Sequence, residues 1–443
     1  MSEVVIAILG IVLLLLLLVG SMPVGFAMTL VGTVGIALLI NLRAALDTVV
    51  VDYYGCFSSY GLTVIPLFVL MGQVAFHAGF SGQLFDAANA WVGRRRGGLA
   101  MATIAACAAF GAICGSGPAT AATMAAVALP EMKRLRYDAP FAAGTIAAAG
   151  SIGMLIPPSV VFITYGIMTE QSIGKIFIAG ILPGILVTVL FALLANLQCH
   201  LHPAWGPAAP ARSWGQRFRS LLGVLPILLL FLLVMGGMFI GWFTPTEAAA
   251  VGAAGSILLA VLARRLTWHA LLAALMETLR TSCMVMVIVA GATVFGHFLQ
   301  LTNLPTSLAT SLATLPLPRM AIMALILLFY VVAGAFLDAL ALVLLTIPIF
   351  YPVVLNLGFD PIWFAVLIVL VTQVGVITPP VGVNVYVVSG MDRSIPLPSV
   401  FRGALPYLWA LFLACLLLLL FPAIATWLPN LLTPAAPLPG AFP

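Results

Sequence analysis

Residues 150–161 read GSIGMLIPPSVV and residues 372–383 read TQVGVITPPVGV, and these two stretches decide the fold. In each of them a glycine precedes a double proline inside a long apolar segment. Because proline has no amide hydrogen, a double proline interrupts the hydrogen bonds of a helix and leaves carbonyl groups of the preceding turn without donors. The pattern therefore predicts two broken membrane helices, 139–170 and 360–390.

The freed carbonyl groups belong to Gly153 and Met154 in the first stretch and to Gly375 and Val376 in the second. At membrane depth such groups are tolerated only where they line a cavity or bind a ligand, and a cation is their natural partner. A single kinking proline is common in membrane helices and has a purely structural explanation. A double proline that recurs in both halves of the chain favours the ion-binding interpretation.

The two stretches belong to a longer repetition at an offset of 222 residues. The aligned residues are Pro130 with Pro352, Asp138 with Asp360, Glu170 with Asp392 and, after one residue of slip, Gly180–Pro183 with Gly403–Pro406. The repetition predicts a first repeat at 1–199, a cytoplasmic linker at 200–220, a second repeat at 221–430 and a C-terminal tail at 431–443. The two aligned aspartates each precede a broken helix and are expected to cap it.

The composition places the chain in a lipid bilayer. Of its 443 residues 63% are hydrophobic and 7% are charged, whereas a soluble domain carries roughly 25% charged residues. Nucleic-acid binding is excluded by the small number of charges, and an all-α polytopic membrane protein is expected. The predicted spans are 4–20, 23–41, 60–79, 139–170, 173–199, 221–241, 246–263, 278–300, 360–390 and 404–424.

Two further apolar stretches, 98–132 and 319–355, are too long for one span and have glycine-rich or polar centres. Each is expected to form either two spans or a re-entrant hairpin, and both options return the chain to the side from which it came. An odd number of predicted spans separates the two stretches, so the second repeat must be inverted relative to the first. Inverted repeats of this kind build many secondary transporters around a site at the membrane midplane.

The basic residues predict the orientation of the chain. With the amino terminus outside, 14 of the 17 basic residues fall in cytoplasmic segments, and Arg43, Lys175 and Arg319 stay outside. The positive-inside rule therefore favours periplasmic amino and carboxyl termini. The first apolar run has no positively charged region before it and no cleavage-site pattern after it, so a retained helix is expected.

The centres of the two hairpins offer oxygen ligands. The first contains Gly115, Ser116 and Gly117, followed by Thr120, in a sequence that does not favour helix. At the offset of 222 residues Ser116 aligns with Asp338, and a carboxylate at membrane depth marks a functional site by default. Hydroxyl, carboxylate and carbonyl oxygens suit a hard cation such as Na⁺. In the structural alternative, Ser116 and Thr120 satisfy nearby backbone groups and Asp338 has a structural partner.

The source of energy is predicted by what the sequence lacks. It contains no GxxxxGK[ST] motif, so an ion gradient is the expected driving force. A membrane-embedded enzyme would need paired acid, base or metal-binding residues inside the spans, and only Asp338 meets that description. A channel remains a second possibility, because inverted repeats with half-helices also build pores.

Five long motifs carry a resemblance to a known family. They are GSGPATAA from Gly115, LPEMKRLRYDAPFAAG from Leu129, GSIGMLIPPSVVFITYG from Gly150, GAFLDALALVLLTIPIFYPVVLNLGFDPIWF from Gly334 and GVITPPVGVNVYVVSG from Gly375. Together they resemble the large membrane subunit of the tripartite ATP-independent periplasmic (TRAP) transporters. The resemblance runs over nearly the whole chain.

The resemblance implies a function and a mechanism. It implies Na⁺-driven uptake of a small organic anion, a carboxylate, dicarboxylate or sugar acid, across the bacterial inner membrane. It also implies an elevator movement, in which the two hairpins and the two broken helices travel together against a scaffold. The implied partners are a small membrane subunit and a periplasmic substrate-binding protein. A Na⁺-dependent dicarboxylate carrier of the same architecture, which needs no binding protein, is the alternative.

The resemblance also implies the positions of the ion sites. The first involves Gly115, Ser116 and Gly117 with the backbone from Gly153 to Pro157, and the second involves Asp338 with the backbone from Gly375 to Thr378. An organic anion is expected between the hairpin centres, where helix-start amides and polar side chains favour negative charge. The candidate side chains for this role are those of Thr120, Ser159 and Asn384.

Overall fold

The computed structural model describes residues 3–210, 212–313 and 317–432. Within these ranges the chain is helical and contains no strand, which confirms the all-α membrane fold class. The α-helices are α1 Glu3–Val19, α2 Val24–Leu39, α3 Leu42–Ser58, α4 Val64–His77, α5 Phe80–Val92, α6 Gly98–Cys114, α7 Gly117–Arg134, α8 Ala139–Ser151, α9 Val160–Met168, α10 Ile173–Leu201, α11 Trp214–Ile240, α12 Pro245–Leu262, α13 Trp268–Leu301, α14 Leu304–Ala313, α15 Arg319–Gly334, α16 Ala339–Asn356, α17 Pro361–Gly375, α18 Val383–Met391, α19 Leu397–Ala404, α20 Tyr407–Leu420 and α21 Ala423–Leu432.

Seven helical segments of the described ranges are long and apolar enough to cross a membrane. They are Tyr60–His77, Ile173–Leu201, Trp214–Ile240, Pro245–Leu262, Trp268–Leu301, Ala339–Asn356 and Leu397–Leu420. Six of them coincide with predicted spans, and the seventh is α16, from the stretch 319–355. The predicted spans 4–20 and 23–41 form apolar helices of 17 and 16 residues.

The other two predicted spans are interrupted at their double prolines. In the first, α8 ends at Ser151, a 3-10 turn covers Ile152–Met154, and α9 begins only at Val160. In the second, α17 ends at Gly375 and α18 begins at Val383. The Pro157–Pro158 and Pro379–Pro380 peptide bonds are both cis.

The stretches 98–132 and 319–355 each form two helices joined by a short turn. Between α6 and α7 the chain turns at Gly115, whose φ of 65° is left-handed, and at the extended residue Ser116. Between α15 and α16 it turns over residues 335–338, and Asp338 is the N-cap of α16. We call the residues 115–119 the first tip and 335–340 the second tip.

Helix bounds recur at the offset found in the sequence. Displaced by 222 residues, α7 coincides with α16 at both ends, and α8 begins where α17 begins. The hydroxyl group of Ser151 donates to the side-chain oxygen of Gln373 at 3.1 Å, and these residues are 222 positions apart. Equivalent positions of the two halves therefore meet at the centre of the molecule. The inverted orientation of the repeats in the membrane, and the ranges assigned to them, stay predictions.

The centre of the molecule is formed by the first halves of the broken helices. Every residue from Phe141 to Ser151 is buried, and so is every residue from Trp363 to Gly375. Asp138 accepts a hydrogen bond from the amide of Phe141, and Asp360 accepts from those of Ile362 and Trp363. The predicted capping role of both aspartates is confirmed.

Helices α3 and α5 lie outside the predicted spans. Helix α3 carries Arg43, Asp47 and Asp52, which lower its hydropathy below that of a membrane span. Asp52 is nevertheless buried, and its carboxylate lies 2.8 Å from Nδ1 of His297 on α13. The hydropathy pattern did not predict α3, because the charged residues lower its hydropathy and the residue that pairs with Asp52 lies far away in the sequence.

Hydrogen bonds hold the segment between α10 and α11 in place. Helix α10 continues to Leu201 and α11 begins at Trp214, so both helices extend into the predicted linker 200–220. The carbonyl of Gly206 accepts from the amide of Gly97 at 2.8 Å, and the amide of Ala209 donates to the carbonyl of Gly93 at 3.0 Å. The linker therefore bonds to both ends of the turn that carries Arg94, Arg95 and Arg96. Of the predicted tail 431–443, residues 433–443 lie outside the described part.

Candidate functional site

The two tips line one cavity of about 310 Å³. The first tip contributes Gly115 to Ala119 and the second contributes Asp338 to Leu340. Helices α4 and α13 form the opposite wall, and Met154 and Val160 flank the break of the first broken helix. Two segments that lie 222 residues apart in the sequence thus meet around one space.

The first tip packs closely against the first broken helix. A Cβ atom on Gly115 would lie 2.3 Å from the carbonyl oxygen of Pro158, so only glycine fits this position. The carbonyl of Gly115 accepts a hydrogen bond of 3.4 Å from the amide of Val160. At Gly153 a Cβ atom would lie 2.7 Å from Oγ1 of Thr120 and 3.2 Å from the carbonyl oxygen of Ser116. The backbone of the break therefore lies directly against the first tip.

The second tip repeats this arrangement. A Cβ atom on Gly375 would lie 2.1 Å from the carbonyl oxygen of Gly334, where α15 ends. The carbonyl of Ala335 accepts from the amide of Val381 at 3.2 Å, just after the double proline. Asp338 accepts from the amide of Leu340 at 3.1 Å and so caps α16 while it lines the cavity.

The prediction that four carbonyl groups before the double prolines lack donors is wrong for three of them. The hydroxyl of Ser159 donates to the carbonyl of Met154 at 2.5 Å. The amide of Thr378 donates to the carbonyl of Gly375 at 3.3 Å, and that of Asn384 donates to the carbonyl of Val376 at 3.1 Å. Ser159 and Asn384 follow the double prolines and Thr378 precedes the second one, so groups on either side of the prolines replace the missing helical donors. The carbonyl of Gly375 also accepts from the hydroxyl of Thr378 at 3.3 Å.

The predicted site residues divide into two groups. Gly115, Ser116, Gly117 and Asp338 line the cavity, and Gly153 lies directly behind the first tip. Pro157, Gly375 and Thr378 lie at the breaks of the broken helices and outside the residues that line the cavity. The ion sites stay predictions. Of the residues just named, only those of the two tips line the cavity.

The three candidate substrate residues point their polar groups toward the backbone. Thr120 donates to the carbonyl of Ser116 at 2.7 Å, and Ser159 donates to Met154 as described above. The side-chain amide of Asn384 donates to the carbonyl of Ala147 at 3.0 Å. All three side chains are buried, and the hydrogen bonds that they donate end on backbone carbonyl groups.

Three polar residues of the cavity wall were not found from the sequence. Gln73 lies on α4, and Glu277 and Thr281 lie one turn apart on α13. The predicted span 278–300 began immediately after Glu277, so this glutamate was counted as part of a cytoplasmic segment. The one sequence feature that could have indicated a role for Glu277 is its position directly before a predicted membrane span. Only the packing of α13 against the tips shows that it faces the cavity.

Two buried polar atoms at the centre lack a hydrogen-bond partner among the described residues. They are Nε2 of Gln373 and Oδ1 of Asn384. Both side chains form hydrogen bonds with the other half of the chain, Gln373 with Ser151 and Asn384 with Ala147. The interface between the two broken helices therefore contains polar side chains, and each of these two leaves one polar atom without a partner in the described part of the chain.

A second and more open cavity of about 730 Å³ lies between α3, α13 and the ends of α9 and α16. It is lined by Asp52 and His297, by Glu170 and by Tyr351, among others. None of the predicted site residues is among the residues that line it. The cavity between the tips is the better candidate site, because it combines the recurring motifs with clustered oxygen atoms.

Comparison with known proteins identifies the relatives of this chain. Residues 11–424 match the family model described as the tripartite ATP-independent periplasmic transporter, DctM component. The chain is 37% identical to the C4-dicarboxylate TRAP transporter large permease protein DctM of Pseudomonas aeruginosa, over 84% of this chain and 86% of that protein. It is 34% identical to the sialic acid TRAP transporter large permease protein SiaM of Vibrio cholerae, over 94% of this chain and 96% of that protein.

A solved structure shares the fold. The YdaH transporter of Alcanivorax borkumensis superimposes with a TM-score of 0.63 over 88% of this chain and 90% of that one. The sequence identity is 17%, so the likeness concerns the fold alone.

Proposed function

This chain belongs to the family of TRAP transporter DctM components, and we propose that, as the large permease, it takes up a small organic acid with Na⁺ as the coupling ion. Membership of the family makes it a multi-pass transport protein and not an enzyme. The site of transport is the cavity between the two tips. The single observation that carries this proposal is that both tips, with the oxygen atoms of Ser116 and Asp338, line that one cavity.

The chemistry of the tips supports Na⁺ as the coupling ion. Na⁺ is a hard cation and prefers oxygen ligands, and the tips offer a hydroxyl, a carboxylate and several carbonyl groups. Near the first tip, the carbonyl of Ser116 faces Gly153 across a gap too small for a side chain. Asp338 supplies a negative charge that a bound cation would neutralise at membrane depth.

Packing supports movement of the tips and the broken helices as one body. Helix α18 packs on both α7 and α8, so the second broken helix contacts the first hairpin. On the other side of the cavity, α4 and α13 pack on each other, α4 also packs on α12, and α13 also packs on α2. We propose that the first set of helices forms the transport body of an elevator and that the second set belongs to its scaffold.

The relatives suggest a substrate class and partners for this chain, and both are proposals. Two relatives are named for C4-dicarboxylates and for sialic acid, so family membership does not select one organic acid. We propose that the chain works in the bacterial inner membrane with a small membrane subunit and a periplasmic binding protein.

The proposal is tested by uptake into proteoliposomes that contain this chain and its small partner subunit. We expect accumulation only with an inward Na⁺ gradient and with the cognate binding protein added outside. Equal uptake in choline buffer would contradict Na⁺ coupling. Na⁺-dependent uptake without the binding protein would instead favour a carrier that works without such a protein.

A further inference from the structure

The cavity between the tips has an uneven distribution of charge. Two carboxylates line it, those of Asp338 and Glu277, and the described lining residues include no lysine, arginine or histidine. We propose that Glu277 determines the substrate class and selects organic acids that also carry a positively charged nitrogen. This inference rests on the proposed function, because it takes the cavity to be the substrate site.

The face that α13 presents to the cavity is defined by helical spacing. Glu277, Thr281, Met284 and Val285 all line the cavity and lie on one side of the helix, because positions four, seven and eight residues apart share a face. Glu277 therefore points to the same space as Ser116 and Asp338.

The carboxylate of Glu277 has no ion-pair partner within 4 Å among the described residues. Arg280 follows it by one helical turn but is not part of the cavity lining. His77 on α4 is close enough for an electrostatic interaction, although its buried Nε2 has no hydrogen-bond partner in the described structure. The negative charge of Glu277 thus remains available to a ligand.

Two helix starts lie on the opposite side of the cavity from Glu277. Helices α7 and α16 begin at Gly117 and Ala339, and both starts line the cavity. Helix starts carry partial positive charge, which favours a carboxylate. At the start of α16 the carboxylate of Asp338 already accepts from the amide of Leu340, whereas no described side chain caps the start of α7. A ligand carboxylate at the start of α7 and a cationic nitrogen near Glu277 would both be stabilised. A ligand with a second carboxylate near Glu277 would be repelled.

A matched pair of probes tests the inference. Succinate and 4-aminobutyrate have chains of similar length, and they differ in whether the second end is a carboxylate or an ammonium group. The full chain with its small partner subunit, in lipid nanodiscs with Na⁺ present, is screened by thermal stabilisation. The panel holds these two probes, glycine betaine, L-proline and simple monocarboxylates and dicarboxylates.

We expect the strongest stabilisation from a zwitterion of the panel. In Glu277→Gln we expect that ligand to bind at least about tenfold more weakly, because a hydrogen bond to a charged group is stronger than one to a neutral group. Glu277→Asp should keep the preference because it keeps the charge. Glu247→Gln, which changes a glutamate of the α12 capping box outside the cavity lining, serves as the control and should show the same ligand-induced stabilisation as the parent chain.

Stabilisation by dicarboxylates alone, or by no zwitterion of the panel, would overturn the inference. So would a Glu277→Gln variant that binds the preferred zwitterion within twofold of the parent chain. Na⁺ dependence of stabilisation is measured in the same samples. A ligand preference without any Na⁺ dependence would contradict the coupling proposed above and leave the role of Glu277 standing.

Discussion

Asp338 joins two roles at one position. Its side chain caps α16 by accepting from the amide of Leu340, and it also lines the cavity between the tips. Asparagine caps helices about as well as aspartate does, so the two roles can be separated by removing only the charge.

We expect Asp338→Asn to raise the Na⁺ concentration for half-maximal uptake by roughly tenfold or more, because a charged ligand of the cation is lost. The thermal stability should change little, since the cap is kept. Uptake measured against Na⁺ concentration checks this. Asp360→Asn is the matched control, because Asp360 caps α17 in the same way and lies outside the cavity lining. An unchanged Na⁺ dependence in Asp338→Asn would argue for a structural role alone.

Gly115 allows the first tip to approach the break of the first broken helix. Gly115→Ala should destabilise the protein by about 1–3 kcal/mol, because its φ of 65° is unfavourable for alanine and the new Cβ would meet Pro158. We expect a lower apparent melting temperature and loss of transport.

Gly358→Ala is the control for that substitution. Gly358 has a φ of 71° but no atom within 4 Å of the position of a Cβ, so only the backbone cost of about 1 kcal/mol applies. Equal effects of the two substitutions would show that close packing at the first tip is not required.

At the scale of elements, an ion pair joins the first hairpin to the segment after the second broken helix. Lys133, near the end of α7, pairs with Asp392, and its ammonium group also donates to the hydroxyl of Ser394 at 2.9 Å. The hydrogen bonds from Lys133 and then from Ser394 lower the pKa of Asp392. Both partners are partly exposed, so the pair contributes at most about 1 kcal/mol.

The lowered pKa of Asp392 fixes the pH range in which this pair contributes. A carboxyl whose folded pKa lies below its usual value of about 3.9 stabilises the fold above that value and loses the contribution as pH falls through the folded pKa. We expect Asp392→Asn to lower the apparent melting temperature slightly at pH 7 and to have no effect well below pH 4. A difference from the parent chain that persists at low pH would contradict the assignment.

The elements that sequence analysis found are those marked by local chemistry. Proline and glycine interrupt helices by their own covalent structure, so the breaks near Pro157 and Pro379 and the turn at Gly115 were predictable. Helix α3 was not, because its polar residues lower its hydropathy and the partner of Asp52 lies on α13. Glu277 faces the site only through the packing of α13 against the tips, which no local pattern encodes.

At the scale of the whole molecule, the inverted orientation of the repeats can be tested directly. Arg134 ends α7 and Asn356 ends α16, and the two positions are exposed and related by the offset of 222 residues. If the halves are inverted, Arg134→Cys should react with a membrane-impermeant maleimide from the cytoplasmic side. Asn356→Cys should react from the periplasmic side. Intact cells expose the periplasmic side to the reagent, and inverted membrane vesicles expose the cytoplasmic side.

Labelling of the parent chain is measured alongside and subtracted, because its own Cys283 is exposed and its Cys415 is partly exposed. Labelling of both introduced cysteines from the same side would rule out inverted repeats and with them the proposed midplane site.

The linker that bonds to Gly93 and Gly97 anchors the base of the first hairpin, since α6 begins at the next residue, Gly98. Helix α6 has 17 residues and places the first tip about 25 Å from that base. If the first hairpin moves as part of the transport body, the linker must travel with its base or give up its hydrogen bonds to Gly93 and Gly97.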